Sequence, residues 1–166
     1  MKKIAIITFI FIALLNCTAF AENWQFIASS HSKNYYFDTD SLRYSRSSIW
    51  DKTKPIDGLN KNHVTALIKM LHVDAPPTGI HDDDDSDNLK NIGFIIYKNQ
   101  YDFSAMTCLT SAQYIYDKDG YILLSDENMA SQKNIVPSTM DDTIFHAIKD
   151  YTANNDAQIT QDSKER

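Results

Sequence analysis

Two carboxylates lie close together in an aromatic stretch near the start of the chain, and paired carboxylates can do acid–base chemistry. Asp38 and Asp40 follow the aromatic residues 35–37 and precede Ser41. A glycoside hydrolase needs two such side chains, one to donate a proton and one to act as base or nucleophile. An aspartate can also accept a hydrogen bond from the backbone N–H two residues on, which closes an Asx turn. Because both residues fall in a predicted turn, capping is the preferred interpretation.

A second acidic feature is a run of aspartates later in the chain. Its carboxylates could bind calcium, because hard cations prefer oxygen ligands. The weak candidates for such ligands are Asp82, Asp83, Asp85 and Asp87. The run lacks the glycine and the final glutamate of an EF-hand loop, and adjacent carboxylates repel one another. We therefore expect a solvated loop over residues 74–88 and no metal site, with a calcium-binding loop at residues 81–87 as the alternative.

Cys108 is a possible nucleophile, but nothing in its surroundings supports that role. No local signature of a thiol hydrolase is present, and the small and apolar neighbours of Cys108 predict a buried thiol. The five histidines show no spacing typical of metal ligands. The common motifs of nucleotide binding, serine hydrolysis and zinc proteolysis are also missing. The sequence therefore predicts no catalytic residues, no cofactor and no enzymatic activity.

Alternating apolar and polar residues place most of the chain on β-strands. Residues predicted to form strands are 23–28, 35–37, 49–52, 63–73, 92–103, 112–116 and 121–124. A turn is predicted at residues 45–48 and a loop at residues 53–62. The segment from Asp117 to Gly120 predicts a tight hairpin, because Asp-Gly between two strands is typical of one.

The hydrophobic period lengthens towards the end of the chain. Met140, Ile144, Ile148 and Tyr151 form one stripe, as in an amphipathic helix. A serine and a threonine just before the stripe can cap this helix, and two aspartates in its first turn complement its dipole. The remaining residues, 152–166, are polar and unpatterned, so we expect a disordered tail.

These elements predict an α+β fold in a single domain, residues 22–151. In this fold one C-terminal amphipathic helix packs on an antiparallel sheet. Alternation in the longest strand places Val64, Ala66, Ile68 and Met70 on one face of the sheet. That strand is expected to be a partly covered central strand.

The amino terminus has the three parts of a secretory signal peptide. Two lysines precede an apolar run at residues 4–15, and Ala19 and Ala21 supply the small residues that a signal peptidase recognises. We therefore expect residues 1–21 to be removed and the protein to reach the periplasm or the cell surface. Lipidation at Cys17 is the alternative, but Asn16 stands where a small residue is expected.

The charge of the chain excludes two classes of partner. Removal of the two lysines in the signal peptide takes the formal charge from −6 to −8. Binding to nucleic acid requires a basic surface that neutralises phosphates. Binding to an anionic membrane through a basic face requires the same sign of charge. We therefore expect no nucleic acid as a partner and no binding to an anionic membrane through a basic face.

Short motifs spread over residues 23–151 carry a family resemblance. The residues that carry it are Trp24, Tyr36, Asp38, Ser41, Trp50, Cys108, Asp117, Gly120 and Pro137. Together they resemble the surface-adhesin protein E family, small exported proteins of bacteria with two membranes. The resemblance implies an antiparallel sheet with a C-terminal helix packed against it. For the best-known member of that family, it also implies a homodimer at the outer membrane that binds host matrix and serum proteins.

The chain differs from this family pattern at two places. Members commonly pair the cysteine equivalent to Cys108 with one in the final helix, but residues 140–151 contain none. Members also commonly have a tryptophan before the turn at Pro137, where residues 131–134 are all polar. We expect a non-enzymatic, adhesin-like module that binds a protein of the envelope or the host matrix. The alternative is a periplasmic protein that binds a small ligand or calcium through residues 81–87.

Overall fold

The fold is an antiparallel sheet followed by two helices. The computed structural model describes residues 23–30, 32–46, 58–72 and 92–165. The strands in these ranges are β1 (Trp24–Ser30), β2 (Lys33–Asp38), β3 (Arg43–Arg46), β4 (Leu59–His72), β5 (Ile92–Asp102), β6 (Thr107–Asp117), β7 (Ile122–Asp126) and β8 (Ser131–Asn134). The helices are α1 (Met140–Asn154) and α2 (Asp156–Lys164). This arrangement confirms the predicted α+β class.

The strands follow the order β1-β2-β4-β5-β6-β7, and every described pair is antiparallel. Two long strands, β4 and β6, are each flanked on one side by two shorter strands. β2 pairs with one half of β4 and β3 with the other half. In the same way, β7 and β8 pair with the two halves of β6. β7 and β8 together therefore form one edge of the sheet.

The core lies between one face of the sheet and the helices. Val64, Ala66, Ile68 and Met70 of β4 are all buried, as their alternation predicts. Val64, Ala66 and Ile68 share one core cluster with the apolar side of α1, where Ile144, Phe145 and Ile148 are at most 5 % exposed. Burying one large aliphatic or aromatic side chain contributes about 1.5–3 kcal/mol. This layer is therefore the main source of stability.

Helix α1 has the N-terminal cap that the sequence predicts, and its apolar side faces the sheet. The Asp142 N–H donates to the side-chain oxygen of Thr139 at 3.3 Å, which satisfies a helix N–H that has no partner within the helix. Asp141 and Asp142 lie in the first turn. The ring of Tyr151 meets Phe37 of β2 edge to face at 5.1 Å, so the predicted apolar stripe faces the sheet.

The predicted disordered tail at residues 152–166 is wrong. Residues 152–154 complete α1, and α2 continues to Lys164. Ile159 is only 3 % exposed, and the buried Ser163 hydroxyl accepts a hydrogen bond from the Tyr44 N–H at 2.8 Å. Ile159 is the one large apolar residue in α2, so the helix gives no hydrophobic period to read. Its contacts with a distant strand hold the helix in place.

Several strand boundaries also differ from the sequence prediction. The predicted turn at residues 45–48 overlaps β3, and β4 begins at Leu59 inside the predicted loop at 53–62. β6 begins at Thr107, ahead of the predicted start at 112. These polar extensions are strands because they pair with a neighbouring strand, and alternation of apolar residues does not report such pairing.

Some sequence predictions fall outside the described residues. They are the signal peptide at 1–21, the strand at 49–52 with Trp50, and the acidic run at 81–87. Neither helix in the described ranges is long and apolar enough to cross a membrane.

Candidate protein-binding surface

The paired aspartates form a turn at the end of β2. Asp38 is 8 % exposed, and its Oδ1 accepts a hydrogen bond from the Asp40 N–H at 3.0 Å. This bond caps a short 3₁₀ turn, Thr39–Ser41, and confirms the predicted Asx turn. The buried carboxylate of Asp38 serves the turn, while Asp40 is exposed. The geometry therefore favours a structural role over acid–base work.

Ser41 joins the turn to the central strand. Its hydroxyl donates to the Asp38 carbonyl at 2.7 Å and accepts from the Leu67 N–H at 2.9 Å. Leu67 lies at the point of β4 where pairing passes from β2 to β3. The serine side chain therefore takes the place of a strand partner at this gap. Like Asp38, this residue, which is among those that carry the resemblance, has a structural role.

Cys108 is buried in the core beside Tyr101, which confirms the predicted burial. It is 1 % exposed, and burial raises the pKa of its thiol to about 11. The thiolate is the reactive form of cysteine. At neutral pH this side chain is therefore a small apolar group of the core.

Two histidines of the described ranges each pair with one carboxylate. His63 Nε2 lies 3.0 Å from Asp102 Oδ2, and His146 Nε2 lies 3.3 Å from Asp142 Oδ1. Within those ranges no three His, Cys, Asp or Glu side chains are placed to hold a metal ion. The acidic candidates named above, at residues 82–87, lie outside the described ranges.

A row of aromatic side chains and one lysine crosses the face of the sheet that is remote from the helices. The Lys69 ammonium lies 5.2 Å from the ring centre of Trp24 and 4.2 Å from that of Phe94. Phe94 in turn stacks on Tyr116, with ring centres 4.6 Å apart. Tyr36 adds an edge-to-face contact with Phe26 at 5.5 Å.

This aromatic row is better suited to holding strands together than to binding a planar ligand. A nucleobase or another planar ligand stacks only on an aromatic ring with an open face. One side of Phe94 is occupied by Tyr116, and Lys69 lies over the rings of both Phe94 and Trp24. Cross-strand aromatic pairs each contribute roughly 0.2–1 kcal/mol to a sheet. We therefore assign the row a structural role.

The hairpin between β6 and β7 fixes the position of the sheet edge. Asp117 Oδ1 accepts hydrogen bonds from the Asp119 and Tyr121 N–H groups at 2.9 and 2.8 Å. Gly120 has φ +88°, a backbone angle that residues other than glycine rarely adopt. These bonds confirm the predicted hairpin and explain both signature residues.

Gly93 supports the same hairpin from the neighbouring strand β5. A Cβ atom at this position would lie 2.8 Å from both the Asp117 carbonyl carbon and the Lys118 Cα. Such a distance leaves no room for a side chain. The sequence alone did not identify this contact, because an isolated glycine in a strand does not show which backbone approaches it.

The edge strand β7 is the most exposed apolar feature of the described chain. Its approach and first residues, from Tyr121 to Leu124, form an unbroken run of exposed large side chains. Their exposed fractions are 72 % for Tyr121, 57 % for Ile122, 45 % for Leu123 and 54 % for Leu124. Monomeric proteins normally protect a sheet edge with charges, prolines or a covering segment. This one carries apolar side chains instead.

The exposed side chains of β7 project on both sides of the sheet edge. Ile122 lies opposite Tyr116 on the outer face, and Leu124 lies opposite Ile115 on the face that the helices share. A bulge between these pairs places Leu123 between them. In the described part of the chain, β7 pairs with β6 alone, so its other side offers backbone groups to a partner strand. The edge can therefore bind through both backbone and side chains.

This surface was not predicted from the sequence. Four successive apolar residues at 121–124 predict a buried strand as readily as an exposed one. Exposure follows from their position at the end of the sheet. Pro137, another signature residue, is also exposed and lies between β8 and the cap of α1.

Comparisons with known proteins add no family assignment. No protein-family model matches the chain, and no curated protein matches it at a significant level. The resemblance to the surface-adhesin protein E family therefore stays a prediction from the sequence.

Proposed function

We propose that the protein is an exported, non-enzymatic module of the bacterial envelope that binds another protein along β7. The observation that supports this most directly is the run of exposed apolar residues at 121–124 on a sheet edge. The proposal of export rests on the signal-peptide pattern at residues 1–21. The adhesin-like role, with a partner in the envelope or the host matrix, rests on the family resemblance.

Strand addition is the binding mode that this edge favours. An extended segment of a partner would pair with the backbone of β7, which supplies affinity, while its side chains meet those of β7, which supplies specificity. Full burial of an aliphatic side chain contributes about 1.5–3 kcal/mol, and the side chains of β7 are about half exposed before binding. Several such side chains together can offset the cost of ordering the partner.

The proposal is tested by binding of the mature chain, residues 22–166, to immobilised matrix and serum proteins and to solubilised envelope proteins. The variant Ile122→Lys/Leu124→Lys places charges on both sides of the edge at positions that are already exposed. We expect saturable binding by the wild type and a loss of affinity of at least about tenfold in the variant. Surface plasmon resonance with each immobilised protein measures both.

A matched control separates the edge from a general effect of charge. Met106→Lys/Val136→Lys makes the same change in net charge at two other apolar residues, which are 38 % and 58 % exposed. This control should bind as the wild type does, and circular dichroism should show both variants folded. No saturable binding to any protein, or equal loss in both variants, would contradict the proposal.

A further inference from the structure

Acidic side chains at the C-terminal end of β7 limit which segments can pair with this strand. Asp126 and Glu127 are exposed at its C-terminal end. No lysine or arginine occurs in the sequence between Lys118 and Lys133. Lys133 already pairs with Asp141 at 2.7 Å. β7 is therefore apolar over its first residues and carries two adjacent negative charges at its C-terminal end.

Both acidic side chains retain capacity for a further partner. Asp126 Oδ1 accepts from the Asn128 N–H at 2.9 Å, and Glu127 Oε1 accepts from the Tyr114 hydroxyl at 3.2 Å. Each bond uses one carboxylate oxygen, and a carboxylate has about four acceptor positions. Each carboxylate therefore keeps acceptor positions for a cationic side chain of a segment that pairs with β7.

Charge also bears on whether a second copy of the chain fits this edge. Antiparallel pairing of two β7 strands would bring Asp126 and Glu127 of one copy towards the hairpin of the other. That hairpin carries Asp117 and Asp119 against the single positive charge of Lys118. Juxtaposed like charges disfavour a pairing. The edge therefore favours a foreign segment of opposite charge over self-association.

We infer that β7 takes an extended segment in which lysine or arginine residues precede a run of β-branched apolar residues. Every described strand pair is antiparallel, and antiparallel pairing is slightly more stable per residue than parallel pairing. In that orientation the N-terminal end of the segment meets Asp126 and Glu127. The inference rests on the proposed function, since it names the chemistry of the partner at the same edge.

Synthetic peptides test this inference with the mature chain. The probe is a labelled peptide of two lysines followed by alternating valine and threonine, N-methylated on one edge so that it does not self-associate. Three comparison peptides place the lysines last, replace them by glutamates, or carry N-methyl groups on both edges. Fluorescence anisotropy measures their affinities for the wild type, for Asp126→Asn/Glu127→Gln and for Ile122→Lys/Leu124→Lys.

We expect the peptide with leading lysines to bind tightest and the doubly methylated peptide not to bind. Asp126→Asn/Glu127→Gln should weaken the probe by roughly two- to tenfold, as the loss of two exposed ion pairs predicts. It should leave the glutamate peptide no weaker. The difference should shrink between about 50 mM and about 500 mM salt, because salt screens exposed charges.

The possible outcomes separate the inference from the proposed function. Equal binding of the lysine and glutamate peptides, lost in Ile122→Lys/Leu124→Lys, overturns the inference and supports the proposed function. Tighter binding of the peptide with trailing lysines overturns the antiparallel orientation. A dimer in sedimentation that Ile122→Lys/Leu124→Lys dissociates would assign the edge to a second copy. Failure of every peptide overturns the inference, while the immobilised-protein assay judges the proposed function independently.

Discussion

Single polar side chains replace backbone pairing at the point where the sheet is interrupted. Ser41 is the clearest case, because its hydroxyl bonds both to the turn at Asp38 and to the N–H of Leu67. We expect Ser41→Ala to lower the free energy of unfolding by about 1–2 kcal/mol, the lower part of the cost of leaving a buried donor without a partner, because this bond is partly buried. Urea unfolding followed by tryptophan fluorescence measures the change.

The control for this prediction is a serine on an exposed strand. Ser131 lies on β8 and is exposed, so Ser131→Ala should change stability by no more than about 0.5 kcal/mol. If Ser41→Ala costs no more than Ser131→Ala, the Leu67 N–H does not depend on the serine. Ser41 would then need another explanation.

At the scale of elements, α2 is held by a few specific contacts. Ile159 fills the core, the Ser163 hydroxyl accepts from the Tyr44 N–H, and the Tyr44 hydroxyl donates to Asp156 Oδ1 at 2.9 Å. We expect Ile159→Ala to cost about 2–4 kcal/mol in unfolding free energy, as for other fully buried isoleucines. Thermal and urea unfolding of the mature chain measure this loss.

An exposed position on the same helix supplies the comparison. Gln161 donates only to Glu165, at 3.0 Å, and Gln161→Ala should leave stability nearly unchanged. Equal stability of Ile159→Ala and Gln161→Ala would mean that α2 contributes nothing to the core. Residues 156–164 would then behave as the tail that the sequence predicts.

The elements differ in how far the sequence predicts them, and the reason is physical. The alternation in β4 and the stripe of α1 are set by burial on one face, so hydrophobic periodicity identifies both. β3, β8 and α2 are polar and are stabilised by pairing or by contacts with distant residues, which no local pattern reports. The candidate surface on β7 depends on position in the sheet. Its apolar run was predicted, but its exposure was not.

The whole molecule is a sheet that the helices cover unevenly. Contacts join α1 to β1 and α2 to β3, while β7 lies at the opposite end of the strand order. Leu124 is on the helix-facing side of β7 and is still 54 % exposed. The uncovered end is therefore a consequence of the overall architecture. This is the end to which both proposals assign partner binding.

The core contains buried groups whose protonation links pH to the stability of the whole molecule. Burial raises the pKa of the Cys108 thiol from 9.0 to about 11 and holds the pKa of the Tyr101 hydroxyl well above its ordinary value. Burial, followed by the hydrogen bond to Asp156, raises the pKa of Tyr44 to about 12. Between the unfolded and the folded pKa of each group, the folded state therefore retains a proton that the unfolded chain has released.

These three groups should therefore leave stability unchanged just below about pH 9 and lower it as the pH rises from there. The unfolded thiol ionises first, so between its unfolded pKa of 9.0 and its folded pKa of about 11 the thiol accounts for a loss of up to about 3 kcal/mol. Urea unfolding at a series of pH values, with a reductant present, measures the decline. Cys108→Ala should be less stable at neutral pH because of the cavity it leaves, yet its stability should fall less steeply above pH 9. Tyr44 and Tyr101 titrate in both proteins, so the two slopes should converge at higher pH.

Identical slopes throughout would show that folding does not raise the pKa of the Cys108 thiol. That result would contradict its burial beside Tyr101.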